Sequence, residues 1–267
     1  MPAEIYTHGH HDSVLRSHRS RNVDNSAAYL RRFLLPGRSL LDVGCGPGTL
    51  TADLAKHVAP GRVVAIDRSA DVLHEARHNL AAISGGQVSV ARGDVYRLSF
   101  DDASFDIVHA HQVLQHLREP VAALLELKRV CRSDGVVAAR DSDYGSFRWF
   151  PEDARLDAWL ALYQRVARSH GAYPDAGRRA LLWAKEAGFR EVAASASVWL
   201  FATSEARAFW ADLWAERITA SALAEQALKA EFATRSELEA MADGFRAWAA
   251  ADGGWMSLTH GEILARP

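Results

Sequence analysis

Cysteine is scarce: Cys45 and Cys131 are the only two in 267 residues. They make no disulfide framework and fit a reducing cytoplasm. No apolar run approaches the ~18 residues that a membrane span needs. The segment from Met1 to Asp12 is polar and rich in histidine, and it lacks the charged-then-apolar layout of a secretory signal. The expectation is a soluble, cytoplasmic protein with no membrane association. Charge of one sign is lacking too. With 31 Lys and Arg against 33 Asp and Glu, the net charge is −2, so no basic field points to nucleic acid. There is no internal repeat, no low-complexity stretch and no Gly-x-Ser-x-Gly elbow of a serine hydrolase. What remains is ordinary globular composition, 49% hydrophobic and 24% charged. The length suits one large α/β domain, or a core with an insertion.

Along the first half, short apolar runs alternate with helical stripes. Val23, Ala27, Leu30 and Leu34 predict a helix over Asn22–Leu35, ended by Pro36-Gly37. Strands are predicted at Ser39–Val43, Val63–Ile66, Val88–Ala91, Phe105–Ala110 and Val136–Ala139. Helices fall between them: Pro47–Val58, a stretch capped by Ser69, and one opened by Pro120. Such alternation implies parallel βαβ units with helices on both faces, a doubly wound α/β sheet. Its ligands bind beyond the carboxyl ends of the strands, so chemistry is sought just after each one.

The first such segment is Gly44-Cys45-Gly46-Pro47-Gly48, between a strand and a helix. Glycines there permit a sharp turn and close approach of a ligand. A dinucleotide fingerprint would want glycine where Thr49 stands, and Pro47 removes a backbone donor from any phosphate cradle. The second is Asp67, at the tip of the next strand and about 20 residues after the glycines, where a carboxylate can accept from both hydroxyls of a ribose. The third is Gly93-Asp94-Val95, where the acid can accept from an adenine amino group and Val95 can pack on the ring. The fourth places His109, His111, Gln112, Gln115 and His116 around the end of the fourth strand. Alternation puts His109 and His111 on one face. His109 and His116 read as structural, while His111 at the tip is a candidate general base.

The stretches LLDVGCGPGTL, VVAIDRS, ARGDVYRLSF and FDIVHAHQVLQHL resemble, in order and spacing, the motifs of class I S-adenosylmethionine-dependent methyltransferases. The similarity is strongest to the ubiquinone/menaquinone-biosynthesis-like group of small-molecule enzymes. It covers roughly residues 20 to 142, and KEAGF before the sixth strand extends it. The resemblance implies S-adenosylmethionine as cofactor and a Rossmann-like sheet of seven strands, mostly parallel with the last antiparallel. It implies that Gly44 and Gly46, with Cys45 between them, contact the methionine part. Asp67 would hold the ribose, Arg68 would flank the adenine, and Asp94 and Val95 would read its edge. His111 and Gln112 would meet the amino-acid end. Arg21, entering the first helix, is the candidate partner for the cofactor carboxylate, since the guanidinium fork fits carboxylates.

The last 120 or so residues differ. Helices are expected at Pro151–Arg168 and Asp175–Ala187, then a strand at Arg190–Ala202. Helices return at Ser204–Thr219, Ser221–Phe232 and Thr234–Ala250, before a final strand at Trp255–Ala265. The expected organisation is an N-terminal segment, 1–35, closing over the cofactor, and a methyltransferase core of 36–203 with 252–267. A cap element within 144–174 and a helical insertion, 204–251, would complete the lid over the substrate. All eight tryptophans follow residue 148. Most belong to helix cores, but Tyr144, Phe147, Trp149 and Trp199, with Tyr6 from the N-terminal segment, are the candidate acceptor lining, which suggests an apolar or aromatic small molecule. Asp141, after the fifth strand, is a candidate base or orienting group. No metal is expected, because the N-terminal histidines lack an organised set of partners. A homo-oligomer is left open. Two other readings stand beside this one: a nicotinamide-dependent oxidoreductase, and a cofactor-binding protein with a regulatory role or another reaction.

Overall fold

The alternation of apolar runs and amphipathic stretches resolves into one mixed sheet wrapped by helices. The computed structural model describes residues 7, 9, 11–81, 83 and 87–267. Helices α1 (Asp12–Arg19) and α2 (Val23–Ser26) lead into β1 (Leu40–Val43), α3 (Thr49–Val58), β2 (Val63–Asp67), α4 (Ala70–Leu80) and β3 (Val88–Arg92). Then come β4 (Phe105–His111), α5 (Pro120–Val130), β5 (Cys131–Ser142), β6 (Arg148–Phe150), α6 (Ala154–Ser169), α7 (Ala180–Glu186) and β7 (Glu191–Phe201). The chain closes with α8 (Ser204–Ala220), α9 (Ala222–Lys229), α10 (Arg235–Ala250) and β8 (Trp255–Arg266).

The strands lie in the order β3-β2-β1-β4-β5-β8, with β7 along the far edge of β8. Strands β1 to β5 run parallel, and β8 is antiparallel to β5, β6 and β7. Strand order reverses between β1 and β4, which opens a crevice above their carboxyl ends. The sheet has eight strands where seven were expected. The extra one, β6, pairs with Trp255–Ser257 of β8 on the side where β5 pairs with His260–Ala265. It therefore continues the lane of β5, and three residues were too few to show a period of two.

Apolar residues from both sheet faces feed separate cores. Leu41, Val108, Leu124, Val137 and Trp183 share one, beneath α5 and α7. Leu30, Leu40, Leu54, Ile107 and Val136 share the other, beneath α3 and the N-terminal segment. A further core joins α6, α8 and α10 to the start of β8, built on Phe147, Trp159, Trp214, Phe245 and Met256. Its centre is the edge-to-face pair Trp159–Trp214, with ring centroids 4.5 Å apart.

Three predicted helices are shortened. The one expected at Asn22–Leu35 is α2 followed by a 3-10 turn, Ala28–Phe33. Ala27 breaks the helix at φ −141°, and the Asn25 carbonyl accepts from the Trp199 indole (2.8 Å). The one expected from Pro151 starts at Ala154, where the Asp153 side chain accepts from the Arg155 N–H. The one expected from Asp175 starts only at Ala180. Before it Gly177 lies flat on the sheet, where a Cβ would stand 2.6 Å from the Asp141 carbonyl oxygen. Helix α1 was not foreseen. His11 caps it, and Arg19 ties it to Glu75 of α4 with two hydrogen bonds (2.6 and 3.0 Å).

Candidate active site

A cavity of about 380 Å³ opens at the carboxyl ends of β1, β2 and β4, within the range of small-molecule sites. It is built from the turn after β1 upward. The Gly44 and Cys45 N–H groups both donate to the Ile66 carbonyl (2.8 and 3.0 Å), which folds the turn onto β2. Gly44 and Gly46 have φ of +70° and +56°, a region closed to most side chains. A Cβ on Gly44 would stand 2.5 Å from Val113, and one on Gly46 would project into the cavity toward His18. Asp67 is fixed by two backbone donors, Gly46 N–H (3.1 Å) and Ser69 N–H (2.9 Å), one on each oxygen. Each carboxylate oxygen keeps a further lone pair for a ligand hydroxyl.

Below the turn lies a polar layer. Asp42 pairs with His109 Nδ1 (2.8 Å) and accepts from the Thr51 hydroxyl (2.5 Å), so His109 is a structural residue. His111 stacks parallel to it, centroids 6.4 Å apart, and lines the cavity with neither ring nitrogen hydrogen-bonded. Burial, with the charges of Arg21 and Arg140, holds its imidazole well below the ordinary range. The same causes act on His260, and burial with Arg21 brings His116 down to about 3. All three rings are therefore neutral. Gln112 sits at φ +55°, strain of the kind that functional loops hold. Its Oε1 accepts from Arg21, and its Nε2 donates to the Ser142 hydroxyl (2.9 Å).

Two smaller spaces lie beyond the cavity, and among the described residues the second is reached from it only through the first. A chamber of about 20 Å³ shares His18, Arg21, Gln112 and His116 with it. A groove of about 370 Å³ shares Ser17, Trp199 and Trp210 with the chamber.

Of the residues singled out from the sequence, Arg21, Gly44, Cys45, Gly46, Asp67, Arg68, His111 and Gln112 line the cavity. Asp94 and Val95 do not. Asp94 is exposed and accepts from the Tyr96 N–H, two residues beyond Arg92, which pairs with Asp67 in the sheet and does line the cavity. Asp141 lines none of the three spaces. It is wholly buried, accepts from the Gln115 N–H (2.9 Å), and is pushed by burial up to about 7. It holds the turn that carries His116. Tyr144 and Trp199 reach the chamber, whereas Phe147 and Trp149 pack in the helical core. Tyr6 lies outside the described residues, as do His8 and His10. Among the described residues no group of three metal-binding side chains comes together, and no helix is long and apolar enough to cross a membrane.

Sequence reasoning missed His18, Thr49, Arg92 and Arg217. Arg217 carried a signal: it is the one charge in the stripe Trp210, Leu213, Trp214, Arg217, Ile218, and it is buried. His18 stands three residues before Arg21, whose N–H donates to the His18 carbonyl (3.2 Å) in the turn that ends α1.

A glycine turn after β1, an acid at the tip of β2, and a crevice at the β1–β4 reversal define a nucleoside-binding doubly wound fold, and β8, antiparallel beyond β5, is the arrangement expected of class I methyltransferases. Residues 41–139 match the family model described as "Methyltransferase domain". An uncharacterized methyltransferase of Schizosaccharomyces pombe is 32% identical over 97% of this chain and 95% of its own. A demethylmenaquinone methyltransferase of Parafrankia is 34% identical over 53% of this chain and 61% of its own. Among solved structures, phosphoethanolamine N-methyltransferase 2 of Haemonchus contortus, bound to S-adenosylhomocysteine, is similar over 100% of this chain and 62% of its own (TM-score 0.62, 16% identity). The chain belongs to the methyltransferase family, and its cofactor is S-adenosylmethionine. The nicotinamide alternative is set aside.

Proposed function

We propose that the protein methylates a small apolar or aromatic molecule. The observation that carries this reading is the contact between Gly46 and Asp67 inside the crevice, next to a chamber and groove rich in aromatic side chains. S-adenosylmethionine, when bound, supplies an electrophilic methyl group on a sulfonium. Asp67 accepts from the ribose hydroxyls, Gly44 to Gly46 approach the methionine part, and Asp94 and Val95, which stand outside the cavity wall two residues beyond Arg92, meet only the part of the adenine that extends past the end of β3. Arg21, already oriented by Gln112, pairs with the carboxylate.

His111 faces the crevice as a neutral ring with two open nitrogens. It can orient the acceptor by a hydrogen bond without adding charge beside the sulfonium. Its depressed basicity makes it a weak proton acceptor, so alignment and exclusion of water carry most of the catalysis. Trp199 and Tyr144 form the acceptor wall.

The test is transfer of a radiolabelled methyl group to a panel of aromatic and aliphatic compounds, followed by organic extraction. The reading expects label in the organic phase with matching release of S-adenosylhomocysteine. Label recovered only on polar amines or on macromolecules would overturn the apolar acceptor.

A further inference from the structure

The two edges of the sheet are built differently. At one, β3 is five residues long and closes on a charge, Arg92. At the other, β7 runs for eleven residues, and among the described residues only β8 pairs with it. Its register with β8 is one to one throughout, so no bulge interrupts it. From Val192 to Phe201 it carries no charge and no proline. An open edge presents unpaired N–H and C=O groups to any other strand, and proteins blunt such edges with charge, proline or a bulge unless they cover them. Ala193, Ala194, Ser195 and Ala196 are exposed, and so are Val198 (56%), Leu200 (53%) and, beside them on α8, Phe209 (38%). Side chains are thus small in the first half of β7 and large in the second. Charge is graded along it too. Three exposed arginines, Arg32, Arg190 and Arg266, surround its start with one acid, Glu191. Two exposed acids, Asp24 and Glu205, stand at its end, where Arg31 pairs with Asp24 and Arg207 turns to the Ala251 carbonyl.

We infer that the outer edge of β7 is the contact between two copies of this chain, paired antiparallel about a two-fold axis at Ala196. Such an axis sets Val198 and Leu200 of one copy opposite Ala194 and Val192 of the other, large against small in both halves of the contact. Parallel pairing in register would set large against large. The arginine-rich start of each β7 meets the acidic end of the other, which selects the antiparallel sense and makes the strand complementary to itself. The two sheets join into one, and the open edge disappears. Val198 and Leu200 also line the groove, so the second copy closes its outer side. The contact goes beyond the methyl-transfer reading and does not depend on it.

The test is sedimentation equilibrium of the full chain at roughly 10 to 100 μM, where the expected mass is twice that of the 29.3 kDa chain. Val198→Lys puts a charge on the exposed edge and should weaken the association by ~100-fold or more. Ala196→Cys should give a disulfide-linked dimer on mild oxidation, since residues facing each other across antiparallel strands have Cα atoms about 4.5 to 5.5 Å apart, within disulfide reach. The native thiols of Cys45 and Cys131 are buried and do not compete. Ala193→Cys would stand roughly 20 Å from its counterpart and should stay unlinked. If Val198→Lys does not fold, the two cysteine variants decide. A monomeric wild type, a dimer that Val198→Lys leaves intact, or a dimer that Ala196→Cys fails to link overturns the inference, as does linking through Ala193→Cys in its place.

Discussion

At the scale of single residues, the site is built on side chains whose geometry is set by backbone neighbours. Asp67 is held by the N–H groups of Gly46 and Ser69, so removing the carboxylate takes away ligand contacts and loosens the turn together. Asp67→Ala should weaken S-adenosylhomocysteine binding by ~10- to 100-fold, about 1.4 to 2.8 kcal/mol, as read by calorimetry. An unchanged affinity would remove Asp67 from the site. The cavity-lining residues were legible where function imposes a spacing, as with Gly44, Gly46 and Asp67. Arg217 was not, because its partners lie about 200 positions away, on Ser13 and Ser17. Asp141 misled for a related reason. Its place after β5 is at the functional edge, but the sequence does not disclose that the side chain turns inward to hold the backbone of Gln115.

At the scale of elements, α1 lies between the two halves of the molecule, joined to α4 through Arg19 and Glu75 and to α8 through Arg16 and Glu216. These pairs are partly exposed, and such pairs contribute little to global stability. Arg19→Ala should therefore change unfolding free energy by under ~1 kcal/mol, while accelerating proteolysis at residues 12–22 measured under native conditions. Cleavage at the wild-type rate would show that the pairs do not hold α1 down. The helical core behaves differently. Trp159 is wholly enclosed, in contact with Trp214, Phe147 and Phe245, so Trp159→Ala should cost about 3 to 5 kcal/mol in chemical denaturation. A loss below ~1 kcal/mol would mean that this core is loosely packed. The strands of the sheet were readable because buried parallel strands are short apolar runs bounded by glycine and proline. Helix α1 was not, since its sequence is polar almost throughout and only Val14 and Leu15 are apolar. Strand β6 was too short, and α2 was cut by a hydrogen bond from Trp199 that no local pattern reveals.

At the scale of the whole molecule, the buried histidines link folding to pH. His111, His116 and His260 titrate below the unfolded value of 6.5, so the unfolded chain binds protons that the native state refuses. Their contribution is present above 6.5 and is lost as pH falls toward the native values. Asp141 has the opposite sign: raised to about 7 from 3.8, it favours the native state below 3.8 and loses that contribution as pH rises through 7. Between these limits three protons oppose one, a net loss of about 2 to 3 kcal/mol per pH unit on acidification below 6.5. Thermal melts should show Tm falling from about pH 7.5 to about pH 5.5, and a constant or rising Tm would contradict the buried neutral histidines. The central claim is that the turn after β1 and the acid of β2 grip one nucleoside whose sulfur carries the methyl group. Parallel calorimetric titration of the wild-type chain with S-adenosylhomocysteine and with NAD tests it most directly. The account predicts one site for S-adenosylhomocysteine, with a Kd on the order of 10 μM, and no heat with NAD. Saturable binding of NAD with none of S-adenosylhomocysteine would contradict it.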